Sequence, residues 1–134
     1  MEPDKNSSGK DNEDFISSDY MTEMDKIVRS LTLRAMAAGN DKDFDTAYLN
    51  MDLALWMAQS LEKKCLEAAL LNNLGLLYTM QGVWDKAMLS FAHAMDIAST
   101  SCTSHNNFLS TLKKNIACLF DPKIQSAKRL GQCF

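Results

Sequence analysis

The chain has 134 residues, a formal net charge of −3 and 46% hydrophobic residues, values ordinary for one small globular domain. No apolar run reaches membrane-spanning length and the N-terminus carries no apolar signal core, so we expect a cytoplasmic protein, with the nucleus as the alternative, and no membrane partner. The four cysteines are therefore expected to be reduced thiols, mostly buried as small apolar residues.

The first 17 residues are polar and carry five acids against two lysines. A segment of this composition buries too little apolar surface to fold, which predicts a disordered acidic tail over 1–17. The remaining residues, 18–134, are predicted to form one helical domain.

Helical periodicity dominates that domain. The predicted helices lie near 19–38, 42–60, 63–81, 84–99 and 105–120, with a short last helix near 123–131. Gly39-Asn40 and Gly82 are turn signals, Ser104 is a candidate helix cap, and Pro122 should end the fifth helix. The acids Asp41, Asp43 and Asp45 lack the glycine and glutamate of a calcium loop, so we expect them at a helix N-terminus.

The third and fourth predicted helices carry the pattern of a tightly packed helical hairpin. Small residues stand where the two backbones would approach, and large apolar residues stand around that contact. The predicted packing residues are Gly75, Tyr78, Trp84, Ala87, Phe91 and Ala94. A hairpin of this kind buries its apolar face only against neighbours, which predicts a stack of similar units.

Similar units recur at an interval of 40 residues. Phe44 to Ala47 precede Trp84 to Ala87 by 40 positions, and Ile124 to Ala127 follow by another 40. Ala35 stands 40 residues before Gly75, and Ala117 stands 42 residues after it. Three weakly similar copies at one period are typical of a helical solenoid.

On these residues the chain resembles the tetratricopeptide repeat (TPR) family. The middle copy carries the specific match, namely Asn73, Leu74, Gly75, Tyr78, Gly82, Trp84, Ala87, Phe91 and Ala94. The period exceeds the usual 34 or so residues, and in this it is similar to the extended repeats of kinesin light chains and Pins-type polarity adaptors. The resemblance covers roughly residues 20–127. It implies an all-α, right-handed hairpin solenoid with two full repeats and a degenerate third or capping helix.

The resemblance also implies a function. Such repeats bind partner peptides or helices in a concave groove lined by the first helix of each hairpin, and act as non-catalytic adaptors. The residues it places there are Asn72, Asn73, Leu76 and Asn115. An asparagine amide both donates and accepts, so Asn73 and Asn115 could hold an extended backbone. The alternative for Asn73 is that it bridges neighbouring repeats or is solvated. Leu33 breaks this asparagine ladder in the first copy.

No enzyme, cofactor, small-molecule substrate or metal site is expected. The chain lacks a phosphate-binding glycine loop and a nucleophile-elbow motif, and has only two histidines. Cys102 and His105 have ligand-like spacing, but no second pair is placed to complete a zinc site.

Three questions stay open from the sequence. The alternative function is a structural or assembly subunit that oligomerises, as a homodimer for example, through an exposed solenoid end. Residues 113–134 carry five bases against one acid, yet few aromatic residues accompany them, so we do not expect nucleic-acid binding. Trp56 lies late in the second helix and is either a core residue or an exposed anchor.

Overall fold

The computed structural model describes residues 23–102 and 106–120, and it is helical almost throughout. The first helix, α1, is described over 23–40, and it is followed by α2 (Phe44–Ser60), α3 (Lys64–Gln81), α4 (Trp84–Ser101) and α5 (Asn106–Leu119). Those ranges contain no strand, which confirms the all-α class. None of the helices described here is long and apolar enough to cross a membrane.

Where the structure describes a helix boundary, it lies within two residues of the predicted position. α4 continues to Ser101, and Gly39-Asn40 forms the last residues of α1 instead of the turn. The tail over 1–17, the cap at Ser104, the stop at Pro122 and the helix near 123–131 all fall outside the described residues.

The first three connections share one backbone geometry. Lys42, Glu62 and Gly82 each have a positive φ, of 64°, 55° and 84°. In each turn the following residue donates its N–H to a carbonyl five residues back. These three bonds run from Asp43 to Ala38 at 2.8 Å, from Lys63 to Ala58 at 3.1 Å and from Val83 to Tyr78 at 2.8 Å. This is the Schellman motif, which ends a helix sharply and satisfies its last carbonyls.

The N-terminus of α2 is capped by an acid. The side chain of Asp43 accepts a hydrogen bond from the backbone N–H of Thr46 at 3.3 Å. The carboxylate thus accepts from one of the N–H donors left free in the first turn, and its negative charge interacts favourably with the positive end of the helix dipole. Asp43 caps α2 and Asp45 lies in its first turn, which confirms the prediction for these two acids, while Asp41 lies in the preceding turn.

The core follows the 40-residue interval. Four positions of α2 are fully or almost fully buried, and the positions 40 residues later in α4 are buried too. The matching pairs are Ala47 with Ala87, Met51 with Phe91, Ala54 with Ala94, and Ala58 with Ala98. Because the same register is buried in both helices, α2 and α4 use equivalent faces against the rest of the molecule.

Among α2 to α5, the most extensive helix contact lies between α3 and α4. A Cβ atom added at Gly75 would come within 2.5–2.8 Å of three ring atoms of Phe91. The absence of a side chain at Gly75 therefore lets the buried ring of Phe91 lie against the α3 backbone.

A disulfide joins the start of α3 to the end of α4. Cys65 and Cys102 are bonded, with their Cα atoms 5.6 Å apart, a separation usual for such a bridge. Cys118 is disulfide-bonded as well. The prediction of reduced thiols is therefore wrong for these cysteines, because the hairpin brings residues 37 positions apart into contact, which their sequence spacing does not indicate.

α5 packs on α4, but the residues it buries are not those expected from the alignment of Ala117 with Gly75. Its buried residues are Leu112, Asn115 and Leu119, while Ala117 is exposed. Ala35 and Gly75 are both buried, so Ala117 is not their structural equivalent. The interval of 42 residues that aligned Asn115 with Asn73 does not place them in equivalent environments.

Candidate functional site

A groove of about 410 Å³ lies between α1 and α3. Its lining comes from one face of each helix and from the residue that precedes α3. The lining residues are Asp25, Val28, Arg29, Thr32, Leu33, Lys63, Leu66, Ala69, Leu70 and Asn73. Spacings of three and four residues within each set place the side chains along one helix face, so the groove runs along both helices.

The floor of the groove is apolar. Val28 and Leu70 are buried at its base, and Leu66 and Ala69 are half-buried beside them. Leu33 is 66% exposed at the rim. A concave surface of this size with an apolar floor is the usual form of a ligand-binding cleft.

Three polar side chains of the groove are already engaged in contacts within the protein. Lys63 Nζ donates to Asp25 Oδ1 at 2.6 Å, and this ion pair ties α1 to the start of α3. The hydroxyl of Thr32 donates to the backbone carbonyl of Val28 at 2.8 Å. Both interactions stabilise the walls and leave little capacity for a ligand.

Arg29 and Asn73 differ from these engaged side chains. Within 23–102 and 106–120, the guanidinium of Arg29 pairs with no acid and the amide of Asn73 has no hydrogen-bond partner. Arg29 offers five N–H donors and a positive charge, and Asn73 offers both donors and an acceptor. The groove can therefore hold an apolar side chain on its floor while these two groups bind a carboxylate or a peptide backbone above it.

The four sequence-predicted binding residues separate into three environments. Asn73 lines the groove. Leu76 is half-buried and is not among the lining residues. Asn72 and Asn115 are 8% and 3% exposed, and Asn115 Nδ2 donates to Asn72 Oδ1 at 2.7 Å.

The Asn72–Asn115 pair corrects the expected asparagine ladder. The two amides bond to each other across the contact between α3 and α5, so each satisfies the other within the core. This bond bridges two helices and both side chains are buried, so neither amide is available to meet a peptide.

The groove includes residues that the sequence reasoning missed. Arg29 and Leu66 were not singled out, and Leu33 was considered only as a break in the ladder. The sequence feature that could have indicated the groove is the pair of Arg29 and Leu33, a cation and a leucine four residues apart on one face of α1. This feature is weak evidence, because solvated helix faces often carry both residue types.

A second polar cluster lies near the turn between α3 and α4. The Tyr48 hydroxyl donates to Gln81 Oε1, the rings of Tyr48 and Tyr78 are 4.9 Å apart, and Lys86 Nζ is 5.8 Å from the Tyr78 ring centroid. Burial, and secondarily the neighbouring Tyr78, raises the pKa of Tyr48 to about 12. The hydrogen bond of Tyr48 to Gln81 joins α2 to the end of α3. Because its raised pKa keeps the phenol neutral, Tyr48 is unsuited to act as a base.

Nothing in the part of the chain that the structure describes has the geometry of a metal centre. No three side chains of His, Cys, Asp or Glu converge there. Cys102 is bonded to Cys65, and His105 lies outside the described residues.

Comparisons of the chain with protein-family models, with curated proteins and with solved structures return no match. The resemblance to tetratricopeptide repeats therefore depends on the residues quoted for it, and what it implies for this chain is a proposal.

Proposed function

We propose that this chain is a non-catalytic protein-interaction module, a short TPR-like solenoid that binds a peptide segment or helix of a partner protein in the α1–α3 groove. The observation that carries the proposal is the groove itself: an apolar floor bordered by Arg29 and Asn73, two polar groups without partners among the described residues.

The repeated architecture supports the solenoid part of the proposal. Equivalent core positions recur after 40 residues in α2 and α4, and the hairpin turns at Lys42 and Gly82 have the same geometry at the same interval. In a solenoid of stacked helical hairpins the first helices lie side by side, and the groove between α1 and α3 is compatible with that arrangement.

The lining favours a particular kind of segment. A leucine-sized side chain fits an apolar floor made by Val28, Leu66 and Leu70. Arg29 favours an acidic residue nearby, and Asn73 favours the backbone of an extended segment because its amide can pair with N–H and C=O alike.

The experiment is a selection from a peptide phage-display library on the full chain and on two matched variants. Ala69→Glu places a long charged side chain in the groove, and Ala92→Glu makes the same change at an exposed position of α4. We expect wild type and Ala92→Glu to enrich the same peptide motif and Ala69→Glu to enrich none.

Folding must be separated from binding in this experiment. Circular dichroism and thermal unfolding of each variant come first, and Leu33→Glu at the exposed rim provides a second blocked groove should Ala69→Glu unfold. A motif recovered equally on all folded variants, or no enrichment on wild type, would contradict binding in the groove.

The alternative function, self-assembly through the end of the helix array, has one observation in its favour. Phe120, directly after α5, is exposed. The exposed Lys113 and Lys114 on the same helix oppose a symmetric contact there, since two copies would bring like charges together. Sedimentation equilibrium decides: a mass that stays at one chain as concentration rises excludes this alternative.

Cytoplasmic location stays a prediction. The Cys65–Cys102 bridge does not support it, because structural disulfides are typical of oxidising compartments. Mass measurement of the cellular protein after alkylation, with and without prior reduction, would report the state of these cysteines.

A further inference from the structure

α2 exposes an apolar stripe on the side opposite the core. The stripe consists of Leu49, Leu53 and Trp56, which are 71%, 48% and 63% exposed. Spacings of four and three residues place them in one line along the helix. The buried residues of α2 lie on the other side, so the stripe takes no part in the core. Of the two possibilities that the sequence left for Trp56, core or exposed residue, the structure has the exposed one.

The repeat architecture does not require this stripe. In α4 the positions 40 residues later hold Leu89, His93 and Asp96. The buried faces of α2 and α4 match at four positions, yet α4 has only one apolar residue on the outward line. The stripe is therefore a property of α2 and is not needed for stacking hairpins, which favours a role in binding.

The stripe is bordered by negative charge. Asp45 and Asp52 lie on the same side of α2, and α2 contains no lysine or arginine. On α4 the position equivalent to Asp45 is also an acid, Asp85, and Asp96 takes the place of Trp56.

We propose that this outward face of α2 is a second docking site, separate from the groove, and that it binds a basic amphipathic helix of a partner protein. The apolar stripe supplies contact area, and the acids select lysine and arginine on the borders of the partner helix. Two turns of α2, about 10 Å, carry the stripe, so a partner helix of similar length covers it.

Charge disfavours four other occupants but not the chain's own residues 121–134, which carry three bases against one acid. Anionic membrane surfaces and nucleic-acid phosphates are repelled by Asp45 and Asp52. A second copy docked symmetrically would bring the same acids together. The chain's own first 17 residues carry a net negative charge and are disfavoured for the same reason.

The test uses the fluorescence of Trp56 in the full chain carrying Trp84→Phe, so that one tryptophan reports. The probe is a synthetic helical peptide of about four turns with a leucine stripe bordered by lysines, and its control has glutamate in place of each lysine. We expect the lysine peptide to shift the emission of Trp56 to shorter wavelength and to saturate, and the glutamate peptide to have no effect.

Matched variants locate the site. Leu49→Ser with Leu53→Ser keeps every acid and should weaken binding about tenfold or more. Asp45→Asn with Asp52→Asn should weaken it severalfold at low salt and little at high salt. Leu33→Ser makes a similar change at a comparably exposed leucine of the groove and should leave the affinity within about twofold.

Three results would overturn the proposal. One is an unchanged Trp56 emission with both peptides. Another is equal affinity of wild type and the Leu49→Ser, Leu53→Ser variant, which would mean binding by charge alone. A blue shift that grows with protein concentration in the absence of peptide would assign the stripe to a second copy.

Discussion

At the scale of single residues, Gly75 sets how closely α3 and α4 approach. Its missing side chain is replaced by the ring of Phe91, which is fully buried. Sequence reasoning identified both residues because a small residue facing a large one is a local pattern. It could not identify Lys42 and Glu62 as turn residues, since only Gly82 of the three carries the composition typical of a positive φ.

Gly75→Ala should lower the free energy of unfolding by about 1–3 kcal/mol, because the added methyl group overlaps the Phe91 ring in a packed core. The matched control is Gly39→Ala in α1, where the added methyl group meets the terminal methyl groups of Leu77 and Met80. We expect this control to change stability by less than about 1 kcal/mol. Urea denaturation measures both, and equal losses would contradict the assignment to the ring.

Tyr48 makes stability depend on pH in the alkaline range. Its pKa rises from 10.0 to about 12 in the folded state, with burial as the main cause and Tyr78 as the second. The folded state therefore favours the neutral phenol, a contribution that is complete below pH 10 and is lost as the pH rises toward 12.

Tyr48→Phe should accordingly lose less stability than wild type between pH 10 and 12. Urea denaturation at several pH values measures this loss, and Tyr78→Phe serves as a comparison because the pKa of Tyr78 is also raised. Parallel stability curves for wild type and Tyr48→Phe would show that Tyr48 ionises equally in both states.

At the scale of elements, a buried amide pair joins α3 to α5. Asn115→Ala leaves the Asn72 amide without its partner, so we expect a loss of about 1–3 kcal/mol. Replacing both asparagines with leucine should recover much of that loss, since no polar group is then left unsatisfied. A double variant less stable than Asn115→Ala, measured by urea denaturation, would contradict a purely structural role for the pair.

The hairpin of α3 and α4 is additionally closed by Cys65 and Cys102. Closing a loop with a sequence separation of 37 stabilises by about 4 kcal/mol in the chain-entropy description. Under oxidising conditions, the variant with both cysteines replaced by serine should therefore have a lower midpoint of urea unfolding than wild type. Equal midpoints would indicate that the bridge does not form in solution.

The helices were predictable and their lateral contacts were not. Apolar spacing marked α2, α3 and α4 because each helix carries its periodicity within its own segment. The Asn72–Asn115 pair and the Cys65–Cys102 bridge join residues of different helices. Their partners depend on how the helices pack, which the periodicity of a single segment does not show.

At the scale of the whole molecule, the described residues present two different surfaces. The groove between α1 and α3 combines an apolar floor with Arg29 and Asn73, whereas the outward face of α2 combines leucine and tryptophan with acids. The sequence indicated the first through Asn73 and the resemblance to a repeat family. The sequence did not predict the outward face of α2 as a surface, because the burial of Trp56 depends on which face of α2 packs inward.

The most direct test of the central claim is a two-dimensional amide NMR titration of the full chain with a peptide recovered by the display selection. Binding in the groove predicts that the largest shifts fall in α1 near 25–33 and in α3 near 66–73, with α2 near 49–56 little changed. The largest shifts in α2 or α5, with α1 and α3 unaffected, would contradict the groove as the binding site.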